Sequence, residues 1–265
     1  MMKYTTIICE KKDNIARITL NRPQALNAIN PQLLEELQEA LDDVAKDDTV
    51  GVVVLTGSGR AFSAGVDIKG MEDSGRGDIV SARKGLALNV IQSIENLNKP
   101  VIAAVNGYCL TGALELATAC DLIVASENAV FGDTHARWGF TPTWGGSQRL
   151  PRIVGAMKAK EMVFTCDMLT AKEAQQIGLV NKVTAPEKLD EAVHELAGKI
   201  LANSRASISI QKSLMNRGLR LDYASALKMA EAESPGITGD SEARLQSFKD
   251  KTWDKASAKQ SEKSS

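Results

Sequence analysis

The first half of the chain carries short, dense apolar runs, and the second half carries apolar residues at three- and four-residue spacing. Thr6 to Cys9 and Ile15 to Leu20 read as two strands around Lys11-Lys12-Asp13-Asn14, a hairpin ended by Asn21-Arg22-Pro23. Leu33, Leu34, Leu37, Ala40, Leu41 and Val44 then recur with helical period, which predicts a helix over Pro31 to Lys46. Asn30 is its expected N-cap and Pro31 its first residue. Val50 to Thr56 is a buried strand stopped by Gly57-Ser58-Gly59. A glycine-spaced loop is expected from Arg60 to Gly77 and an amphipathic helix from Ile79 to Leu97, broken by Lys99-Pro100. Val101 to Val105 is a strand, Gly112 to about Ala119 a helix, and Leu122 to Ala125 a third buried strand. Strands alternating with helices imply parallel pairing through right-handed crossovers.

Beyond Pro151 the period becomes helical throughout. Helices are expected over Val154 to Phe164, Ala171 to Ile177, Leu189 to Asn203, Ser207 to Leu219, Tyr223 to Ala232 and Glu242 to Asp250. The short apolar piece Leu179 to Val183 interrupts them. The fold class is thus α/β to about residue 150 and mostly helical afterwards. The last segment, Asp254 to Ser265, has no apolar period and is expected to be disordered.

Composition narrows the functions. With 265 residues and a net charge of −1, the chain has no global field to draw it to nucleic acid or an acidic membrane. The N-terminal residues lack the apolar core of a signal peptide. The run from Val101 to Ala125 is interrupted by Asn106, Gly107, Thr111, Glu115 and Asp121, which a membrane span would not carry at its middle. Cys9, Cys109, Cys120 and Cys166 form no C-x-x-C pair, and His135 and His194 lie far from them in sequence. Free thiols in a reducing compartment such as the cytoplasm are therefore expected, without a metal.

Several chemistries are set aside. Gly57-x-Gly59 is followed by Phe62 where a dinucleotide fingerprint needs glycine, and there is neither a phosphate-binding P-loop nor a G-x-S-x-G elbow. Two loops remain. Arg60 to Lys69 follows one buried strand, and Asn106 to Glu115 follows the next. Loops at the carboxyl ends of neighbouring strands are where α/β ligand sites gather. Each loop can offer one free backbone N–H to a carbonyl oxygen, and each such donor is worth ~3 kcal/mol in a transition state. Glu115 stands one helical turn beyond Gly112, in an otherwise apolar segment.

The residues of these loops resemble those of the crotonase (enoyl-CoA hydratase/isomerase) superfamily. Phe62-Ser63-Ala64-Gly65-Val66-Asp67-Ile68-Lys69 is similar to its Phe-x-Ala-Gly-x-Asp-Ile/Leu-Lys loop. Ala104 to Tyr108 and Gly112-x-x-Glu115-Leu116-Ala117-x-x-Cys120-Asp121 are similar to its second signature. Phe131-Gly132 and Gly139-x-x-Pro142-x-x-Gly145-Gly146-x-x-Arg149-Leu150 resemble a third, and Thr170-Ala171-x-x-Ala174-x-x-x-Gly178-Leu179-Val180 a fourth. The resemblance runs from about Thr6 to Phe248. It implies a crotonase-like ββα spiral over residues 1–198, a helical C-terminal trimerisation part over 199–253 and a disordered tail over 254–265. The implied ligand is an acyl-CoA thioester, with CoA entering as part of the substrate and no separate cofactor. The implied assembly is a homotrimer or a dimer of trimers.

At the residue level the resemblance implies that the backbone N–H groups of Val66 and Gly112 hold the thioester oxygen. Ala64, Asp67, Ile68 and Lys69 would contact the CoA ester, and Thr143 and Trp144 would border the acyl pocket. Thr111 and Ala113 replace the outer two of the family's three glycines, and both are expected to be tolerated. Glu115 matches the glutamate that activates water in the hydratases. The family's second glutamate is absent. Its Phe-Gly-x-x-Glu pattern reads Phe131-Gly132-Asp133-Thr134-His135 here. An imidazole carries protons near neutral pH, so a Glu115/His135 acid–base pair is chemically possible. Asp133, two residues away, could stand in for the glutamate in a shifted loop, though its side chain would normally point elsewhere, and Arg137 is a candidate for a substrate carboxylate. The implied reaction is hydration of a 2-enoyl-CoA. Thioester hydrolysis, retro-aldol cleavage, decarboxylation and isomerisation share its enolate, and a weakly catalytic CoA-ester-binding protein is the reading outside enzymes.

Overall fold

A computed structural model describes residues 4–68 and 76–250. Lys69 and the tail expected over 254–265 lie outside the described residues. The chain opens with a hairpin, β1 (Ile7–Lys12) and β2 (Ile15–Leu20), and continues with α1 (Pro31–Lys46). The next elements are β3 (Val52–Gly57), β4 (Ala61–Ser63) and α2 (Arg76–Asn96). Then come β5 (Val101–Val105), β6 (Tyr108–Leu110) and α3 (Gly112–Ala117). After these follow β7 (Leu122–Ser126), β8 (Val130–Gly132), α4 (Gly146–Val154) and α5 (Ala156–Thr165). Next are β9 (Leu169–Thr170), α6 (Ala171–Gln176), β10 (Lys182–Thr184) and α7 (Leu189–Leu201). The chain ends in α8 (Arg205–Gly218), α9 (Tyr223–Glu233) and α10 (Ser241–Lys249).

Two sheets share these strands. The larger runs β1-β2-β3-β5-β7-β10, and the smaller β4-β6-β8-β9. Pairing is parallel except between β1 and β2 and between β8 and β9. Strands β3, β5 and β7 each pass to β4, β6 and β8 through a tight corner, so every turn of the chain gives one strand to each sheet. The loops leaving the small sheet therefore come out together. Gly107 shows why the corner must be tight, because a Cβ there would lie 2.1 Å from the Arg60 carbonyl oxygen.

The first helix forms as expected. Asn30 Oδ1 accepts from the Leu33 N–H at 2.9 Å, a cap worth ~1 kcal/mol. Leu33, Leu34, Leu37, Ala40, Leu41 and Val44 are all buried. Its far end is closed by the Lys99 ammonium, which donates to the carbonyls of Val44, Ala45 and Asp47. On the large sheet, Val52, Val54, Ile102, Ala104 and Val124 pack against Leu189, Ala192, Val193 and Ala197 of α7.

Several expectations change. The loop expected from Arg60 contains β4, and the Asn106 turn leads into β6 before α3 begins. The stretch before Val154 is helical as α4, with Pro151 inside it. The helix expected from Val154 starts at Ala156 instead, because Gly155 (φ 82°) separates the two. Residues 198 and 199 both lie within α7. All four cysteines are free thiols. Among the described residues, no group of His, Cys, Asp or Glu could hold a metal ion, and no helix is long and apolar enough to cross a membrane.

Candidate active site

The loop after β4 is fixed from one side by the connection between β2 and α1. The Ala64 N–H donates to Leu26 O at 2.9 Å, Ile29 N–H to Gly65 O at 2.8 Å, and Asp67 N–H to Ile29 O at 3.0 Å. These bonds form a parallel bridge of Ile29 with Val66. In such a bridge the residues flanking Val66 carry the hydrogen bonds, and the Val66 N–H faces the other way. An ion pair locks the same loop, with Arg22 Nη2 3.0 Å from Asp67 Oδ2. Arg22 also donates to the Ala28 carbonyl. Buried Asn27 donates to Ser58 O at 2.9 Å and Ala61 O at 2.7 Å, pinning the connection to the corner before β4. The Asp67 carboxylate is therefore engaged by Arg22, while Ile68 is half exposed.

The loop after β6 faces this one. Gly65 (φ 92°) approaches so closely that a Cβ would lie 2.0 Å from Thr111 Oγ1. Thr111 itself has φ 51° and ψ −114°, a conformation that costs a β-branched residue ~1–3 kcal/mol. Its N–H donates to Gly132 O at 2.9 Å, which joins the exit of β6 to the exit of β8. Gly112 follows as the first residue of α3, where an N–H has no intrahelical acceptor. A Cβ on Gly112 would lie 2.7 Å from Trp144 Cζ3 and 3.3 Å from Val66 Cγ2. The two loops expected to supply backbone donors are thus brought together, and the buried Trp144 ring lies against Gly112.

Glu115 is buried one turn into α3. Its Oε1 accepts two backbone hydrogen bonds at 2.8 Å, from the N–H groups of Trp144 and Gly146. Its Oε2 lies 3.8 Å from His135 Nε2. Burial raises the Glu115 pKa, and the Gly146 bond, the His135 charge, the Trp144 bond and the Arg149 charge only partly offset it. His135 is buried too, and its Nδ1 lies 2.6 Å from Asp133 Oδ1. Burial lowers the imidazole pKa, but the Asp133 hydrogen bond and the Asp133 and Glu115 charges outweigh it, so the net shift is upward. Asp133 does not take the place of the glutamate beside Glu115; its carboxylate engages the His135 ring instead. It also accepts from the His135 backbone N–H at 3.1 Å.

Arg149 is a second residue that motif spacing does not explain. Its guanidinium donates to Glu115 O at 3.0 Å and Trp144 O at 2.6 Å, and it pairs with Glu95 Oε1 at 3.1 Å. It clamps the helix carrying Glu115 to the turn that holds the Glu115 carboxylate. Thr143, half-buried, precedes Trp144 in that turn. Arg137 donates to Cys166 O at 3.0 Å and sits on the exposed stretch after His135. Arg22 and Arg149 lay in the sequence as a strand end and a motif consensus. Only a part-buried arginine aimed at main-chain carbonyls distinguishes them, and sequence carries no such signal.

A dry carboxylate beside an imidazole, next to backbone N–H groups on two adjoining loops, suits proton transfer at an activated carbonyl compound. Comparison with known proteins agrees with this chemistry. Residues 10–253 match the enoyl-CoA hydratase/isomerase family model. The chain is 40% identical over 256 residues to the crotonyl-CoA hydratase of Syntrophomonas wolfei, covering 94% of this chain and 97% of that one. It is 42% identical over 238 residues to the short-chain-enoyl-CoA hydratase of Clostridium acetobutylicum, covering 89% of this chain and 90% of the other. The crystal structure of an enoyl-CoA hydratase from Bacillus anthracis superposes with a TM-score of 0.90 at 35% identity, covering 93% of this chain and 97% of that one. By its residues, its ββα spiral and its relatives, the chain belongs to the enoyl-CoA hydratase/isomerase family.

Proposed function

We propose that the protein is an enoyl-CoA hydratase-type lyase that adds water across the 2,3 double bond of a 2-enoyl-CoA thioester. The observation that carries this reading is the division of Glu115. One oxygen is held by two backbone N–H groups, and the other faces an imidazole 3.8 Å away. The free oxygen takes a proton from water as the hydroxyl adds to C3. The electron pair of the double bond moves to C2 and the thioester oxygen, which the Val66 and Gly112 N–H groups stabilise as an enolate. His135 Nε2 gives a proton to C2. A proton then returns from Glu115 to His135, and one water has been added.

The relatives named for crotonyl-CoA and short-chain enoyl-CoA support a short acyl group. Buried Trp144 beside Gly112, preceded by Thr143, would bound the acyl pocket on that side. Ala64, Ile68 and Lys69 are the proposed contacts to CoA, and Asp67 acts through its hold on Arg22. The free thiols suit a reducing compartment such as the cytoplasm. Exposed apolar residues on the last three helices support association into trimers or a dimer of trimers.

The test is incubation with crotonyl-CoA, following the conjugated absorbance and free thiol together. Loss of absorbance without thiol is the expected result. Thiol release would mean hydrolysis, and binding with neither change would overturn the enzyme reading. His135→Gln should lower turnover by at least ~100-fold while leaving CoA-ester binding intact. Unchanged turnover in that variant removes His135 from the chemistry.

A further inference from the structure

The Glu115–His135 pair has a third member. Asp133 is buried, its side chain 5% exposed, and its Oδ1 lies 2.6 Å from His135 Nδ1 and 3.1 Å from the His135 N–H. It thus holds the ring and its backbone through one oxygen. The chain bends to make this possible. β8 ends at Gly132, and His135 adopts helical angles (φ −53°, ψ −48°) at the start of a short 3-10 turn. The ring swings back over Asp133 and leaves Nε2 towards Glu115. The charged groups that face the ring are Asp133 on its own loop and Glu115 on α3.

Charge gives this arrangement its meaning. Two buried carboxylates at this separation cannot both ionise, so a Glu/Glu pair works with one proton shared and a net charge of −1. Replacing one carboxylic acid by an imidazolium alone would make the pair neutral overall and leave a cation in a dry site at high cost. A second carboxylate 2.6 Å from Nδ1, with Glu115 3.8 Å from Nε2, would give the cation an acidic neighbour on each side and restore the balance. A carboxylate on Nδ1 also fixes the tautomer, so that Nε2 is the nitrogen that exchanges protons.

We propose that Asp133 is a positioning residue and that Asp133 and His135 together take the place of one protonated glutamic acid. The inference rests on the hydratase reading for its kinetic part. Its spectroscopic part stands without it. Asp133 holds the ring protonated and aimed, and Glu115 on the far side stays free to act as the base. The departure at position 135 is then a two-residue exchange, of which Asp133 is the less visible half.

The chain has two histidines, and His194 is exposed, so the ring nitrogens of His135 can be followed by 15N NMR. In the unaltered protein Nδ1 should stay protonated and the ring should titrate above an ordinary histidine. In Asp133→Asn the titration should move down and the tautomer preference weaken, whereas Asp133→Glu should keep both. With crotonyl-CoA, Asp133→Asn should lower kcat roughly 100-fold at neutral pH with little change in KM. The fall of activity on the alkaline side should also begin at lower pH.

The decisive measurement is a cycle. In the His135→Glu background a third buried carboxylate is harmful, so adding Asp133→Asn should there raise kcat. The same change lowers kcat when His135 is present. A residue that only stabilised the loop would act in the same direction in both backgrounds, and that result overturns the proposal. So do a His135 titration and tautomer unchanged in Asp133→Asn. If the unaltered protein does not hydrate crotonyl-CoA, the hydratase reading fails, while the NMR arm still decides what Asp133 does to His135.

Discussion

At the scale of single residues, the site depends on close approach. Gly112 was legible in the sequence as a helix start without a Cβ, and Glu115 as a carboxylate one turn later. Their neighbours were not. Asp133 and His135 are two apart, and in an extended strand such residues point to one face only if the strand continues. It ends at Gly132, and the helical angles of His135 bring the two side chains together. That bend is a property of the packed loop rather than of either residue. The strained angles of Thr111 were equally hidden, because a threonine in a sequence gives no sign of a positive φ. Gly112 itself offers a direct test. In Gly112→Ala the new methyl would meet the Trp144 ring at 2.7 Å and the Val66 side chain at 3.3 Å, pushing apart the groups that frame both donors. Loss of one such donor typically costs 100-fold or more, so kcat on crotonyl-CoA should fall by about that factor. A kcat within threefold of the parent would place the oxyanion elsewhere.

At the scale of elements, strands long enough for periodicity were found, and the short ones were missed. β4, β6 and β8 have three residues each and β9 two, below the four that alternation needs. Yet the loops leaving β4, β6 and β8 carry Val66, Gly112 and His135. Helix α4 was hidden by Pro151, which breaks most helices but sits here in a nine-residue one. Among the helices, α8 is anchored by a single buried cation. Lys212 Nζ donates to the carbonyls of Ile94 and Lys99 at 3.0 Å each and to Asp121 Oδ2 at 2.7 Å. Asp121 in turn accepts from the Val101 N–H at 2.7 Å. Burial raises the Asp121 pKa, and the Lys212 charge works against that rise. Lys212→Met removes the cation and leaves the carboxylate buried, a change that costs about 3 kcal/mol or more. At ~2–4 °C per kcal/mol for a chain of this size, Tm should fall by roughly 10 °C in calorimetry. A Tm within 2 °C of the parent would mean that α8 is held by other contacts.

At the scale of the whole molecule, the order of elements was legible but the pairing of two sheets was not, since each strand's sheet is decided by corners such as Gly107. The helical end of the chain buries little of its own apolar surface. Lys212 is the buried residue of α8, and α9 and α10 have none. Met215, Leu219, Tyr223, Leu227, Leu245 and Phe248 are all more than half exposed. The trimer proposed above would cover these residues. Light scattering should therefore give a mass of three or six times 28.4 kDa, and a mass of one chain would refute the association. The fixed carboxylate has a consequence for the product. In the proposed mechanism, the fixed Glu115 and the imidazole 3.8 Å from its free oxygen would reach a planar enoyl unit from the same side. Hydration by these roles should then be a syn addition with one handedness at C3. When the crotonyl-CoA assay is run in D2O, deuterium should enter C2 on the face that receives the hydroxyl, and equal labelling of both faces would separate the two residues' roles.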